Sequence, residues 1–232
     1  MKRAIVIAIS VILALVLAAP IASGQSSSQS QTIGKLTGDW WNWAVSTNPG
    51  PLTGGDPCAG NFVDGVFFLG GSFTSKAVKR TCTVPANTPI LFPVVNGGCG
   101  AAPTIPVLDE KGDPVLDENG NPTFTGDPKP YNKCAKDSLD KTVLANSTMF
   151  ATLNGQPLKI QRLESGPFTF TVPSSGSDIL PTVPPGSYDF AASGYWVYLP
   201  QGLEPGKYTL HWGGTFANGG FKQDITYKLT VV

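Results

Sequence analysis

The segment "DITYKLTV" (residues 224–231) alternates apolar and polar side chains over its last seven positions. Successive side chains of a β-strand point to opposite faces, so the apolar ones share one face. These are Ile225, Tyr227, Leu229 and Val231. A strand with one buried and one solvated face is typical of antiparallel sheets. The segment therefore predicts a fold built from β-sheet.

Other segments with strand-like patterns precede this one and are separated by turn residues. They are 66–73, 77–84, 89–95, 148–163, 168–172, 195–199 and 207–216. Asn154-Gly155 lies between two alternating runs and predicts a tight hairpin. Pro93 predicts an edge or a bulge in its strand, because proline has no N–H to donate. The set predicts an all-β fold, a single antiparallel β-sandwich of Ig-like or jelly-roll-like type.

A short N-terminal helix is predicted around the segment "GDWWNWAV" (38–45), which holds three of the five tryptophans. Apolar side chains recur there at steps of three and four, at Ile33, Leu36, Trp40 and Trp43. Trp40 and Trp43 share the apolar face, which favours a place in the core. Trp41 points about 100° away from Trp40. It can therefore belong either to the core or to a ligand-binding surface, and the sequence does not decide between them. One further short helix is predicted over 131–146, with Cys134 near its start.

The N-terminus has the pattern of a secretory signal peptide. Two basic residues precede an apolar run, and small residues at 22–24 suit cleavage before Gln25. The apolar run is short for a membrane span, although an uncleaved anchor is the alternative. We expect a signal peptide over 1–24, a flexible polar leader over 25–32 and one domain over 33–232. We also expect no membrane span after cleavage.

The charge balance argues against nucleic acid as a partner. The chain has 16 basic and 16 acidic residues, and loss of Lys2 and Arg3 leaves 14 against 16, a formal charge of −2. Nucleic-acid binding usually requires a clustered basic face.

An even number of cysteines in an exported chain predicts disulfides. The four are Cys58, Cys82, Cys99 and Cys134. Three connectivities are possible, and we favour the sequential pairs because they close two modest loops. No two cysteines have the close spacing of a zinc site, and His211 is the sole histidine.

Several motifs resemble a family of exported β-rich proteins from bacteria and some archaea. The family pairs WWxW, then FLxGxF…RxCxVPxxxxxxFPVxN, with a tail of the kind GYWxxLxxLxPGxxTxHxGG…DxTYxLTV. The corresponding segments here are "WWNW" (40–43), "FLGGSF" (68–73), "RTCTVPANTPILFPVVN" (80–96), "GYWVYL" (194–199) and "LEPGKYTLHWGG" (203–214), with "DITYKLTV". The likeness extends over most of the chain after the signal peptide. The resemblance implies a secreted β-rich domain, but it does not indicate any particular activity.

A tandem repeat, "PVLDEKGDPVLDENGN" (106–121), is a candidate calcium-binding segment. Carboxylates around a glycine turn suit a hard cation, and the candidate ligands are Asp109, Glu110, Asp113, Asp117 and Glu118. The alternating ligands and the closing bidentate glutamate of a full calcium loop are missing. Two exposed turns, with Asp, Asn and Gly chosen for turn geometry, are the favoured interpretation.

Catalytic patterns are weak. No nucleophile elbow accompanies His211, which is interpreted as a structural residue of a sheet surface. A glycosidase needs two facing carboxylates, and the sequence offers Asp39, Asp56, Asp64, Asp189 and Asp224 without pairing them.

Three functional hypotheses follow. The first is a non-catalytic exported domain of the cell surface or extracellular matrix, which acts by binding or assembly. The second is a carbohydrate-binding module that stacks sugars on aromatic side chains, namely Trp41, Tyr195, Trp196 and Tyr198. The third is an extracellular glycoside hydrolase with paired carboxylates. Expected partners are polysaccharide, cell-envelope components or further copies of the chain, and calcium is the one candidate cofactor.

Overall fold

The structure is a computed structural model, which describes residues 26–53, 57–58, 62–217 and 220–232. The predicted signal peptide lies outside the described residues. Two helices and twelve strands are described. The helices are α1 (Ser26–Ser46) and α2 (Tyr131–Thr142). The strands are β1 (Phe62–Val63), β2 (Val66–Phe68), β3 (Val78–Val84), β4 (Ile90–Gly100), β5 (Ile105–Pro106), β6 (Phe124–Thr125), β7 (Thr148–Leu153), β8 (Gln156–Pro157), β9 (Gln161–Val172), β10 (Gly186–Leu199), β11 (Gly206–Phe216) and β12 (Phe221–Val231).

Ten of the strands form two five-stranded sheets that pack face to face, which confirms the predicted sandwich. One sheet has the order β1-β2-β4-β10-β9, and we call it the helix-side sheet. The other has the order β3-β12-β11-β7-β8, and we call it the open sheet. Most neighbours are antiparallel as expected, but β2 pairs with β4 and β3 pairs with β12 in parallel.

The main core lies between the two sheets. Inward side chains of β4 meet those of β11 and β12, and the ring centroids of Phe92 and Trp212 are 4.4 Å apart. Tyr227 stacks on Trp212 at 5.2 Å. Arg80 also points inward, and its Nη1 donates to the carbonyl oxygens of Gly70 and Gly71. These bonds hold the loop after β2 against β3.

Helix α1 covers the outer face of the helix-side sheet and adds a third layer. Trp40 is 1% exposed, and its Nε1 donates to the Leu69 carbonyl oxygen at 3.0 Å. Its ring lies 5.4 Å from that of Trp196 in an edge-on arrangement. Trp43 is buried in the same cluster, so both tryptophans assigned to the core are confirmed there.

The start of α1 differs from expectation. Residues 26–32, predicted as a flexible leader, form the first turns of the helix, while Gln25 lies outside the described residues. Extending a helix costs much less than nucleating one. The packed segment that begins at Ile33 can therefore support polar turns on its N-terminal side.

Helix α2 confirms the second predicted helix, although it ends at Thr142. Leu139 packs into the core between the sheets. The disulfide Cys99–Cys134 joins α2 to β4, and Cys58–Cys82 joins the chain before β1 to β3. Both favoured pairs are confirmed.

The local turn predictions also hold. Asn154 and Gly155 both have positive φ and connect β7 to β8, as a tight hairpin turn requires. At Pro93 the register between β4 and β10 shifts by one residue, so that Trp196 lies opposite Pro93 and Tyr195 opposite Val95. That shift is the bulge which proline predicted.

The tandem repeat forms a small projection with an approximate threefold pattern. The backbone N–H groups of Val107, Val115 and Thr123 donate in a closed ring to the carbonyl oxygens of Thr123, Val107 and Val115, respectively. The three residues lie eight positions apart, which is the length of one repeat. A third, degenerate copy of the repeat therefore closes the ring.

Candidate functional site

A groove of about 470 Å³ lies between the start of α2 and strands β9 and β10. Its lining residues are Lys129, Pro130, Tyr131, Asn132, Pro167, Phe168, Thr169, Asp189 and Phe190. The volume is within the range of small-molecule sites. Apolar and aromatic walls with a few polar groups are the usual composition of such sites.

Secondary structure explains why these side chains meet. Asp189 lies opposite Thr169, and Phe190 opposite Phe168, in the antiparallel pair β9–β10. The Cys99–Cys134 disulfide holds the first turn of α2 beside them. Strand β9 is an edge of its sheet, so one side of the groove remains open.

The polar groups of the groove are only partly engaged. The Asp189 carboxylate accepts a hydrogen bond from the Thr169 hydroxyl at 3.3 Å. The Lys129 ammonium lies 5.6 Å from the centroid of the Tyr131 ring. The Phe168 and Phe190 rings meet edge-on at 5.6 Å and provide a firm apolar base. The groove thus combines a carboxylate, an ammonium, an amide and an aromatic ring.

The four aromatic residues predicted to bind sugar do not share a surface. Trp196 is fully buried beneath α1. Tyr195 packs against the core on the opposite face of β10. Tyr198 is half-buried on the Trp196 side, and its burial raises the pKa of its hydroxyl. Trp41 is half-buried, and its Nε1 faces inward with no hydrogen-bond partner among the described residues.

The alternation of β10 places Tyr195 and Trp196 on opposite faces as expected, but at these two residues both faces of the strand are covered. Helix α1 covers one face and the open sheet or α2 covers the other. These four residues therefore do not lie together on one exposed face.

The acidic residues of the repeat lie in two separate exposed turns. The Asp109 Oδ1 accepts hydrogen bonds from the backbone N–H groups of Lys111 and Asp113. The Asp117 Oδ1 does the same for Asn119 and Asn121. Bonds from Asn121 and Asn119 hold the pKa of Asp117 below its ordinary value of 3.8. Each aspartate thus acts as a cap of its own turn.

Gly112 and Gly120 have positive φ at the same place in each turn. Turn geometry alone therefore accounts for glycine at both positions. Glu110 and Glu118 are exposed within the turns. Among the described residues, the group of three potential ligands close enough for a metal is Cys99, Asp127 and Cys134. Its cysteines form a disulfide, and the five predicted calcium ligands do not converge.

His211 lies on the outer face of the open sheet. Its Nε2 is 2.8 Å from the Asp224 Oδ1, and its ring meets Phe150 edge-on at 4.8 Å. The carboxylates considered for a hydrolase are dispersed: Asp39 pairs with Lys35 on α1, Asp64 lies in the β1–β2 turn and Asp189 is the carboxylate of the groove. Asp56 lies outside the described residues. The groove lining contains one carboxylate, so it offers no facing pair.

Sequence reasoning placed Tyr131 in a helix and Phe168 in a strand but singled out neither. Their spacing along the chain does not predict that they meet, because they come together only where α2 is held against the sheet by its disulfide to β4. The paired cysteines were the local sign that the start of α2 would be fixed in place.

No family model matches the chain, and no curated protein is similar to it at a significant level. A chain in the solved structure of PbICP-C in complex with falcipain-2 is similar at 12% identity and a TM-score of 0.21. The match covers 72% of this chain and 98% of that one. A likeness of that size supports no inference about function.

The two disulfides are typical of an oxidising compartment. Within the described part of the chain, neither helix is long and apolar enough to cross a membrane.

Proposed function

We propose that the chain is an exported, non-catalytic binding domain of the cell surface or extracellular matrix. The observation that carries the proposal is the groove beside α2, which has the size and composition of a ligand site and a single carboxylate in its lining. The signal-peptide pattern and the two disulfides support an extracellular location.

Assembly by strand addition is less well supported, because each long edge strand is contacted by a side chain from elsewhere in the chain. The Asn42 side chain in α1 accepts a hydrogen bond from the Thr171 N–H on β9. The Cys58 sulfur lies 3.1 Å from the Thr81 carbonyl oxygen on β3. Strands β1 and β8 have two residues each, and β8 contains Pro157. Binding within the groove is therefore the favoured mode of action.

The groove lining favours a carbohydrate as the ligand. Tyr131 offers a ring on which an apolar sugar face can stack. Asp189, Asn132 and Lys129 offer an acceptor, an amide and donors to hydroxyl groups around it. This site replaces the aromatic set that the sequence suggested.

The test is retention of the mature, oxidised protein on cellulose, chitin and purified cell walls of the producing organism. We expect Tyr131→Ala and Asp189→Asn each to weaken binding about tenfold or more, the loss of roughly 1.4 kcal/mol of contact energy. Phe73→Ala is the matched control, because Phe73 is an exposed aromatic residue outside the groove lining. Trp41→Ala tests the aromatic set that the sequence suggested, and it is expected to reduce retention less than Tyr131→Ala, because Trp41 reaches the groove only through its contact with the Phe190 ring at 5.3 Å.

Retention is compared only for variants whose melting temperature lies within about 2 °C of that of the parent protein. Retention that is insensitive to both Tyr131→Ala and Asp189→Asn would exclude the groove. Absence of retention on every material would exclude carbohydrate. Release of reducing ends from any of the polymers would overturn the non-catalytic assignment.

A further inference from the structure

The outer face of the open sheet is a second candidate surface, distinct from the groove. Its inward side chains form the core, while its outward ones alternate with them and are exposed or half-buried. Four outward residues are lysines: Lys79 on β3, Lys207 on β11, and Lys222 and Lys228 on β12. We call this surface the lysine face.

Three of these lysines form a straight diagonal row. Lys228 lies opposite Thr209 of β11 and Thr81 of β3, whereas Lys207 lies opposite Thr230 and Lys79 opposite Thr226. Each step along the row therefore crosses one strand and advances two residues. With strands about 4.8 Å apart and a rise of about 3.3 Å per residue, neighbouring lysines are about 8 Å apart.

The lysine face carries an excess of positive charge. Its strands contribute four outward lysines and one outward carboxylate, Asp224, which is engaged by His211. None of the four lysines lies within 4.0 Å of an acidic group of the described residues. The whole chain, by contrast, has equal numbers of basic and acidic residues. Folding thus concentrates cationic groups that the sequence intersperses with neutral ones.

Hydroxyl groups surround the row. Threonines lie beside the lysines on every strand, and the Lys228 Nζ donates to the Thr209 Oγ1 at 2.7 Å. The row therefore presents ammonium groups separated by groups that both donate and accept hydrogen bonds. An extended polymer that alternates anionic groups with hydroxyls is complementary to it.

Other polyanions fit this surface less well. The face has no arginine for bidentate phosphate recognition. Its large exposed ring is Phe150, which contacts His211, so a row of rings for base stacking is missing from these strands. An anionic membrane would favour an apolar wedge beside the cations, and threonines occupy those positions.

We propose that the lysine face binds an acidic polysaccharide chain, laid along the row Lys79–Lys228–Lys207. The inference extends the proposed function to a second surface and a defined ligand class. The shared chemistry is a hydroxylated chain with carboxylate or sulfate groups. Binding is electrostatic, so it weakens as salt is raised.

The experiment compares the mature, oxidised protein with two triple variants of equal net charge. The first, Lys79→Gln/Lys207→Gln/Lys228→Gln, removes the row. The second, Lys111→Gln/Lys141→Gln/Lys159→Gln, removes three exposed lysines that lie outside the lysine face and have no ion pair among the described residues. The probes are polygalacturonate for carboxylates, dextran sulfate for sulfates and dextran as the neutral reference, each at low and physiological ionic strength.

We expect the row variant to bind polygalacturonate or dextran sulfate about tenfold or more weakly, and the control variant to bind within about twofold of the parent protein. Dextran is expected not to bind through this face. If both triple variants lost affinity equally, the effect would come from the net charge of the protein and not from the row, and the proposal would be overturned. Stronger binding to single-stranded DNA or to anionic lipid vesicles than to either polyanionic polysaccharide would overturn the ligand class.

The groove variant Tyr131→Ala separates this inference from the proposed function. If the lysine face is the site, this variant keeps its affinity for the acidic polymers. If the acidic polymers bind through the groove, Tyr131→Ala loses them and the row variant does not, which would contradict the inference.

Discussion

At the scale of single residues, tryptophan exposure depends on what covers each face. Trp40 and Trp43 lie where helical spacing predicted, since a stripe at steps of three and four faces one neighbour. Trp196 has no exposed surface because α1 covers the outer face of its strand. Strand alternation identifies which side chains share a face, but it does not reveal whether a further layer lies over that face.

The ion pair between Arg162 on β9 and Asp140 on α2 provides a prediction about pH. The Arg162 Nη1 is 2.6 Å from the Asp140 Oδ1, and the hydrogen bond from Arg162 holds the pKa of Asp140 below its ordinary value of 3.8. Because the pKa of Asp140 is lower in the folded protein, the ion pair stabilises the fold at pH values above the pKa of the unfolded state. This stabilisation is lost as the pH falls through the pKa of the folded state. We expect Arg162→Gln to raise the pKa of Asp140 toward 3.8, measured by NMR titration of the side-chain carboxyl carbon.

Asp137→Asn serves as the matched control, because Asp137 is on the same helix but pairs with Lys133. It should leave the pKa of Asp140 in place. An unchanged Asp140 titration in Arg162→Gln would show that this ion pair does not persist in solution.

At the scale of elements, α1 and β9 approach closely along small residues at a spacing of four. A β-carbon on Gly34 would lie 2.4 Å from the Glu164 carbonyl oxygen. At Gly38 it would lie 3.1 Å from the Phe168 ring, and one turn later Asn42 accepts from the Thr171 N–H. The close packing of α1 against β9 therefore requires glycine on this side of the helix.

Gly34→Ala tests this arrangement. Alanine is favoured over glycine within a helix by about 1 kcal/mol, but here its methyl group meets backbone that cannot move aside. We expect a net loss of about 1–3 kcal/mol in the free energy of unfolding, measured by guanidinium denaturation with the disulfides intact.

The control is Gly97→Ala in β4, where an added β-carbon meets no atom within 4 Å. It should change the free energy of unfolding by less than about 0.5 kcal/mol. A Gly34→Ala protein as stable as its parent would mean that α1 does not lie against the edge of β9 as described.

At the scale of the whole molecule, two disulfides tie peripheral segments to the sandwich. Cys58–Cys82 spans 24 residues and Cys99–Cys134 spans 35. Loops of these lengths predict about 3–4 kcal/mol of stabilisation each in the chain-entropy model. We expect Cys58→Ala/Cys82→Ala and Cys99→Ala/Cys134→Ala to lose similar amounts, because the difference in loop length alone is worth only about 0.3 kcal/mol.

The two double variants act as controls for each other, since Cys82 and Cys99 are almost equally buried, at 2% and 3% exposure. Guanidinium unfolding of both variants and the parent gives the comparison. A much larger loss for the second pair would contradict the expectation, and it would show that the tie between α2 and β4 stabilises the fold by more than loop closure alone.

Charge distribution also belongs to the scale of the whole molecule. The sequence has equal numbers of basic and acidic residues, so its composition gives no sign of a cationic surface. Outward alternation on three strands nevertheless aligns Lys79, Lys228 and Lys207. Their alignment depends on the register between strands that are far apart in the chain, one pair of them parallel.

The sequence by itself determined the local structure and the covalent pairing of this protein. Strand alternation, the Asn154-Gly155 turn, the bulge at Pro93 and the helical spacing of the tryptophans act within a few residues, so local physics suffices to predict them. The sequential disulfides were also within reach, since four cysteines allow few pairings. Only the tertiary structure decided which surfaces are free, because exposure depends on the layers that pack from elsewhere in the chain. For that reason it moved the candidate ligand site from Trp196 and its neighbours to the groove at Tyr131 and Asp189.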